Sequence, residues 1–342
     1  MSRLWGTREK GRKTLFLVLL SCVIAGSLLA GCSSQAKNGA AALEPEQQAG
    51  EVKASADAGN KGNGSEEKQE RIIKDELGHE VKLTGTPAKI IAPYLEESLL
   101  KLGVTPVARY SNAKDGHRDW IEGLNDVPIL DFSEGLPSPE VMMSYSPDLI
   151  ILQTETFAAN GVYESYAKVA PTYVFKNASG NMEQSLAVIG DLLGKSAEAE
   201  AALQDYREKI NEAKEKLSKV MENKKIAIIR FAPKGINMMG GNYLAGYVLH
   251  QELGLGKTKL IGDANSAALS LEVVPELDAD YIFAIDQGGD RAMMDSPIWK
   301  SMPAVKQGHV YEVDSGYWLG SGLIAYEKII DDVLRFLIPQ EG

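Results

Sequence analysis

The sequence predicts a two-lobed α/β protein, each lobe built on a central, mostly parallel sheet and the two joined by one long α-helix. Three observations carry this. Short aliphatic runs alternate with helix-like segments in two successive series, a long amphipathic stretch separates the series, and one pattern occurs in both. That pattern is Ser, any residue, Glu, then an Asp eight residues after the Glu and an apolar run; it reads SPEVMMSYSPDLIIL from Ser138 and SLEVVPELDADYIFAI from Ser270.

The chain opens on a different kind of segment. Arg3, Arg8, Lys10, Arg12 and Lys13 face only Glu9, and an apolar stretch from Leu15 to Ala30 follows, as in a secretory leader. The stretch is short for a membrane span. It closes on Leu29-Ala30-Gly31-Cys32, which resembles the lipobox of bacterial lipoproteins and implies cleavage before Cys32 and diacylglycerol on its thiol. Residues 1–31 are therefore expected to be a signal peptide. The second cysteine, Cys22, lies within that leader, so the mature chain has no free thiol and no disulfide.

Residues 32–70 are rich in Ala, Gly, Asn, Glu, Gln, Ser and Lys and poor in aliphatic residues, which predicts a disordered tether. Loss of the leader removes five basic and one acidic residue and takes the net charge from −11 to −15. Such a surface disfavours nucleic acid and anionic membrane as partners.

The N-terminal lobe, residues 71–194, reads as strand, helix and strand in repetition. Lys89-Ile90-Ile91-Ala92 leads into a helix over Leu95 to Leu102, a strand is expected over Val104 to Arg109, and Leu149-Ile150-Ile151-Leu152 and Thr172-Tyr173-Val174-Phe175 follow. The connecting helix, residues 195–222, carries Leu203, Tyr206, Ile210, Ala213, Leu217 and Val220 at alternating spacings of three and four, one apolar stripe. A coiled-coil seam would share that spacing, but a stiff strut between two similar halves accounts for it more simply. The C-terminal lobe, residues 223–342, repeats the series from Lys225-Ile226-Ala227-Ile228-Ile229-Arg230, through a helix near Tyr243 to Leu253, to Tyr281-Ile282-Phe283-Ala284-Ile285. Two lobes on a strut enclose a cleft.

Within the repeated pattern, Ser138 and Ser270 are expected as helix N-caps, with Pro139 at the first helical position. Glu140 and Glu272 fall in the first turn, where the helix dipole favours a carboxylate. Complementing a dipole would suffice to explain both glutamates.

Taken together, the lipobox, Asp75-Glu76-Leu77-Gly78-His79-Glu80-Val81, Ile90-Ile91-Ala92 with Glu97-Ser98-Leu99-Leu100-Lys101-Leu102-Gly103-Val104, Pro147-Asp148-Leu149-Ile150-Ile151 and the central helix resemble the iron-siderophore and cobalamin class of ABC-transporter substrate-binding lipoproteins. The resemblance spans about Arg71 to Leu337. It implies a monomeric, lipid-anchored binding protein, not an enzyme, on the outer face of the cell membrane; Ser33 and Ser34 after Cys32 lack the Asp that keeps a lipoprotein on an inner membrane, which favours a Gram-positive bacterium. It also implies that Glu140 and Glu272 dock into arginine pockets on the two halves of a dimeric permease, and that the lobes move little.

Ligand is expected at the loops after the strands, the usual ligand edge of an α/β sheet. Tyr94, Arg109, Tyr110, Arg230, Tyr243 and Trp318 are the candidates there, with Arg118 and Arg291 as further basic residues. Arginines and phenols donate to hydroxamate, carboxylate or catecholate oxygens, and aromatic faces cover apolar spacers. So few basic residues favour a ferric hydroxamate or citrate–hydroxamate chelate over a strongly anionic tricatecholate. The siderophore would hold the iron, so neither a protein metal site nor an intrinsic cofactor is expected. His79, His117, His250 and His309 show no paired ligand spacing. Haem, with His309 or Met238 as axial ligand, or cobalamin is the alternative ligand. Hydrolysis of a bound siderophore is the alternative of another class, and no motif supports it: Gly254-Leu255-Gly256-Lys257-Thr258 has Gln251 where a phosphate loop needs its first glycine, and Gly320-Ser321-Gly322 lacks the spacing of a nucleophile elbow.

Overall fold

The computed structural model describes residues 70–112, 116–260 and 264–338; the expected leader, tether and acylated Cys32 lie outside the described residues. Strands β1 (Glu70–Lys74) and β2 (Glu80–Thr84) form an antiparallel hairpin. Its turn follows from Asp75, whose buried carboxylate accepts the Leu77 and His79 N–H groups at 3.0 and 2.8 Å. Gly78 takes the left-handed position at φ +93°.

The N-terminal lobe continues with β3 (Ile90–Ile91), α1 (Glu96–Lys101), β4 (Arg109–Asn112), β5 (Gly116–His117), β6 (Ile129–Asp131), α2 (Pro139–Ser144), β7 (Leu149–Leu152), α3 (Val162–Tyr166), β8 (Thr172–Val174) and α4 (Met182–Leu192). The order β3-β7-β8 is parallel, a parallel bridge from Ile91 to Ala108 ties it to the β4 segment, and β4 is parallel to β6 and antiparallel to β5. The strand expected over Val104 to Arg109 instead starts at Arg109. Pro106 has no N–H to give a ladder, so regular pairing begins beyond it.

Helix α5 (Ser196–Ser218) has 23 residues and a length of about 35 Å. Its Leu203, Tyr206, Ile210, Ala213 and Leu217 are buried, and they belong to one core that includes Leu99 and Leu186 of the first lobe and Ile228, Phe283 and Ile329 of the second. At about 1.5–3 kcal/mol for each large apolar side chain buried, the stripe is committed to this core and leaves no seam for a coiled-coil partner.

The second lobe comprises β9 (Lys225–Ala232), β10 (Gly235–Met239), α6 (Ala245–Tyr247) running into a π-helical turn over Val248–Glu252, β11 (Gly256–Lys257), β12 (Ser266–Ala268), β13 (Tyr281–Asp286), α7 (Ala292–Asp295), α8 (Pro297–Ser301), α9 (Pro303–Lys306), β14 (Val310–Val313), α10 (Ser315–Trp318) and α11 (Leu323–Leu337). Its sheet runs β12-β10-β9-β13-β14, with β9, β13 and β14 parallel, β10 antiparallel to both β9 and β12, and β11 parallel to the start of β9. Apolar side chains fill both faces of the β3-β7-β8 sheet and of the β9-β13 pair, as their aliphatic sequences require. A π-helical turn over Val248–Glu252, not a strand, precedes the Gly254–Thr258 segment.

The two copies of the repeated pattern differ at their starts. Ser138 caps α2, its hydroxyl accepting the Val141 N–H at 3.4 Å, with Pro139 following. Ser270 starts no α-helix. Turns over Ser270–Val273 give way to a 3₁₀ turn at Val274–Glu276. Pro275 explains the difference, because an α-helix from Leu271 would need an N–H at that position.

Candidate functional site

A cleft of about 430 Å³ opens between the lobes, at the ends of β3, β9, β13 and β14. The first lobe lines it with Tyr94, Tyr110, Arg118 and Trp120; the second with Arg230, Tyr243, Leu244, Gln287, Ser315, Gly316, Leu319 and Gly320. Four of the six sequence-predicted ligand residues, Tyr94, Tyr110, Arg230 and Tyr243, are brought together here.

The first-lobe wall is aromatic. Tyr94 and Tyr110 lie 3.9 Å apart between ring centroids, and Phe132 packs 5.0 Å from Tyr110 and 6.4 Å from Tyr94. The Arg118 guanidinium sits over both tyrosine rings, 5.3 and 5.7 Å from their centroids. Behind it are two buried carboxylates, Glu96 at 3.3 Å and Glu97 at 3.7 Å. Burial pushes the Glu97 carboxyl above its ordinary range, and Arg118 offsets only part of that rise. Glu96 also accepts the Tyr110 N–H at 2.6 Å, and Glu97 reaches across to accept the Ala325 N–H of α11 at 2.8 Å. Arg118 therefore enters the cleft with its charge largely compensated.

On the opposite wall, Arg230 lies within β9, two residues from its end. Its Nε and Nη2 donate to Gln287 Oε1 at 3.2 and 2.7 Å, an uncharged partner that fixes the fork without neutralising it. Two lining residues, Tyr94 (φ +70°) and Leu244 (φ +48°, ψ −127°), have backbone conformations that L side chains rarely adopt. Such strain persists where the fold forces a side chain into a required place.

Two predicted residues lie elsewhere. Arg109 opens β4 rather than ending a strand; it is buried, its Nε donates to the Val127 carbonyl at 3.2 Å and its Nη1 to Asp119 at 2.8 Å. Trp318 is fully buried, donating from Nε1 to Asp332 at 2.9 Å and packing 4.7 Å from Phe283. An Arg and a Trp beside a strand end look the same in sequence whether they face a cleft or a core. Arg291 pairs with Asp286 and Glu312 outside the cleft.

Trp120 and Gln287 were not anticipated. Trp120 packs against α10 so closely that a Cβ on Gly316 would stand 2.4 Å from its Cδ1. Its place after β4 and β5, in the same loop as Arg118, was the available signal.

The family model for periplasmic binding proteins matches residues 76–317. The chain belongs to that family. Among curated relatives of this periplasmic binding protein is the Fe(3+)-citrate-binding protein YfmC of Bacillus subtilis, 30% identical over 93% of this chain and 94% of its own. Solved structures that it resembles include a FhuD-fold component of a Fep/Fec-like ferrichrome ABC transporter from Bacillus subtilis, with TM-score 0.67 and 27% identity over 78% of this chain and 100% of that one. Another is Staphylococcus aureus SirA complexed with staphyloferrin B, with TM-score 0.64 and 25% identity over 78% of this chain and 98% of that one. Among the described residues no group of three His, Cys, Asp or Glu could hold a metal ion, and no helix is long and apolar enough to cross a membrane.

Proposed function

We propose that this protein is the extracytoplasmic substrate-binding component of an ABC importer, that it captures a ferric siderophore of hydroxamate or citrate–hydroxamate type, and that it delivers the chelate to a membrane permease. The observation that carries the reading is the cleft itself, where Arg118 lies over the Tyr94 and Tyr110 rings of one lobe and Arg230 lines the wall of the other. The relatives and structural neighbours, named for ferric citrate, ferrichrome and staphyloferrin B, support the ligand class.

Charge supports the chelate type. Arg118 is held against two carboxylates, which leaves Arg230 as the cleft's uncompensated cation among the described lining residues. A ferric tricatecholate carries about three negative charges into a site of low dielectric and needs more cations than this. A ferric trihydroxamate is near neutral and asks for hydrogen-bond donors and apolar cover. Tyr94, Tyr110, Tyr243, Trp120, Arg230 and Gln287 supply both.

Haem fits less well. His309 stacks 4.5 Å from Tyr281, with Nδ1 3.2 Å from the Asp280 carbonyl, and Met238 is buried in the second lobe's core. Neither is a lining residue of the cleft.

In this reading residues 1–31 direct export, diacylglycerol on Cys32 and the tether of residues 32–70 hold the protein at the outer face of the membrane, and the lobes of residues 71–194 and 223–342 flank the helix of residues 195–222. Glu140 and Glu272 are the permease contacts. Both are exposed, and in both a hydrogen bond from the serine two residues earlier holds the carboxyl below its ordinary range. Exposed apolar side chains adjoin each: Val141 and Met143 beside the first, Leu271 beside the second.

Intrinsic fluorescence of the purified protein tests the assignment, since Trp120 lines the cleft. A ferric hydroxamate should quench saturably at submicromolar concentration, and Arg230→Ala should weaken it about tenfold or more. Response to haem or cobalamin alone would overturn the ligand class.

A further inference from the structure

A second cavity, of about 930 Å³, adjoins the cleft. The two share Tyr243 and Leu244 as a common wall, and Gly320 and Ser321 continue from one to the other. Their chemistry is opposite. The cleft offers two guanidinium groups, whereas the described lining of the second cavity holds no Lys or Arg and carries amides, hydroxyls, three tyrosines and the carboxylates of Glu183 and Glu252.

These carboxylates are not equivalent. Glu183 is exposed and paired with Arg207. Glu252 is partly buried, on the π-helical turn, and accepts the Tyr206 hydroxyl of α5 through Oε2. Around it stand the rings of Tyr206, Tyr247 and Tyr326, with Tyr326 6.2 Å from Tyr247 and 6.5 Å from Tyr206. The Tyr247 and Tyr243 rings are each more than a third exposed at the cavity wall. A partly buried carboxylate among aromatic faces, with no cation in the lining, is the chemistry that selects an alkylammonium group. It would repel the anionic groups that the cleft attracts.

We infer that the second cavity is a subsite for a primary ammonium group on an arm of the chelate bound in the adjoining cleft, with Glu252 as counter-ion and Tyr243 and Tyr247 as walls. This rests on the proposed function and narrows its ligand class to ferric hydroxamates with an amine-terminated arm. The site is bipartite: the ferric centre meets Arg230, and the amine passes Tyr243 to Glu252.

The test compares ferrioxamine B, a linear ferric trihydroxamate with a terminal amine, and its N-acetylated form by fluorescence titration of the full protein at pH 8. The amine form should bind about tenfold more tightly. Glu252→Gln, which keeps an acceptor for Tyr206, should abolish that preference and leave the N-acetyl affinity unchanged. Tyr247→Leu, at an exposed ring, should reduce the preference several-fold. Equal affinities of the two ligands for the parent protein would overturn the subsite while leaving the siderophore assignment standing. Failure of every ferric hydroxamate to bind would overturn the assignment, and the subsite with it.

Discussion

Asp148 and Asp280 hold the starts of β3 and β9 in the same way. The Asp148 carboxylate accepts the Ala88 N–H at 3.0 and 3.1 Å and the Lys89 N–H at 2.8 Å, just ahead of β3, while its own N–H donates to the Lys89 carbonyl at 2.9 Å. The Asp280 carboxylate accepts the Lys225 N–H at 2.9 Å at the start of β9, and its N–H donates to the Lys225 carbonyl at 2.8 Å. Each Asp thereby sets the register of a parallel pair, Leu149 against Ile90 and Tyr281 against Ile226. A helix or turn must hand the chain to a second strand beside the first, and the Asp marks the place. The repeated sequence pattern is therefore structural at its Asp, whatever its Glu does.

Asp148→Ala and Asp280→Ala should each destabilise the fold by about 1.5–3 kcal/mol, the range for hydrogen bonds to a charged acceptor. Urea unfolding checks this. The sites are in different lobes and share no partner, so the double variant should lose close to the sum, within about 0.5 kcal/mol. A loss much smaller than the sum would mean that the lobes unfold separately.

The two α/β lobes and the long helix between them were legible because aliphatic runs and a three-four stripe report burial directly. Turn chemistry was legible only in part. Ser138-Pro139 announced its helix, but Pro275 was the decisive residue in the second copy, five places beyond the serine that suggested a cap. Tyr94 and Arg230 could be placed because strand ends point to one edge of a sheet; Tyr110 lines the same cleft from the start of β4 and Tyr243 from the turn before α6. Arg109 and Trp318 could not, because the partners that draw them inward, Val127, Asp119 and Asp332, lie 10 to 18 residues away in sequence and are fixed only by tertiary packing.

Those two residues should behave as structural groups. Trp318→Phe removes a donor from the buried Asp332, which retains Tyr317 at 2.7 Å and Arg335 at 2.5 Å. Thermal denaturation should show a loss of about 1–3 kcal/mol, with ligand affinity unchanged for the folded protein. An affinity loss without a stability loss would return Trp318 to the cleft.

Gly316 gives a sharper test of how the lobes meet. An added methyl would stand 2.4 Å from Trp120 Cδ1 and 2.9 Å from Asp314 Oδ1, and Trp120 must give way. Gly316→Ala should cost about 1–3 kcal/mol of stability. It should also shift the emission of the ligand-free protein and weaken the ferric chelate, since Trp120 is part of the cleft wall. Unchanged emission would show that the backbone of α10, not the indole, absorbs the methyl.

Glu252 makes stability depend on pH. Burial pushes its carboxyl up to about 7 and Glu183 adds to this, against lowering by the Tyr206 hydroxyl and by Lys214. An unfolded Glu ionises near 4.5, so the folded chain holds this proton more tightly. The resulting stability is complete below pH 4.5 and is lost as pH rises through about 7. Glu252→Gln cannot ionise, so its melting temperature at pH 8 should exceed the parent's by about 2–4 °C, or about 1 kcal/mol for a carboxylate that is partly solvated. At pH 4.5 the two should coincide. A variant less stable than the parent at pH 8 would mean that the charged Glu252–Tyr206 contact favours folding.

Glu140 and Glu272 separate docking from capture. Both are exposed and lie outside the cleft lining, so Glu140→Arg with Glu272→Arg should leave chelate affinity within error of the parent, at a stability cost of about 1 kcal/mol for placing a cation at the first turn of α2. Uptake of radiolabelled ferric hydroxamate by cells depending on this protein should nevertheless fall at least about tenfold, because a carboxylate opposite arginine becomes a like charge. Each single reversal should give a partial loss if the permease engages both lobes. The serines sharpen the point: Ser138 and Ser270 hold both carboxyls below their ordinary range, so uptake should stay independent of carboxylate titration down to mildly acidic pH. Full uptake by the double reversal would leave the glutamates as helix and turn residues and move the permease contact elsewhere.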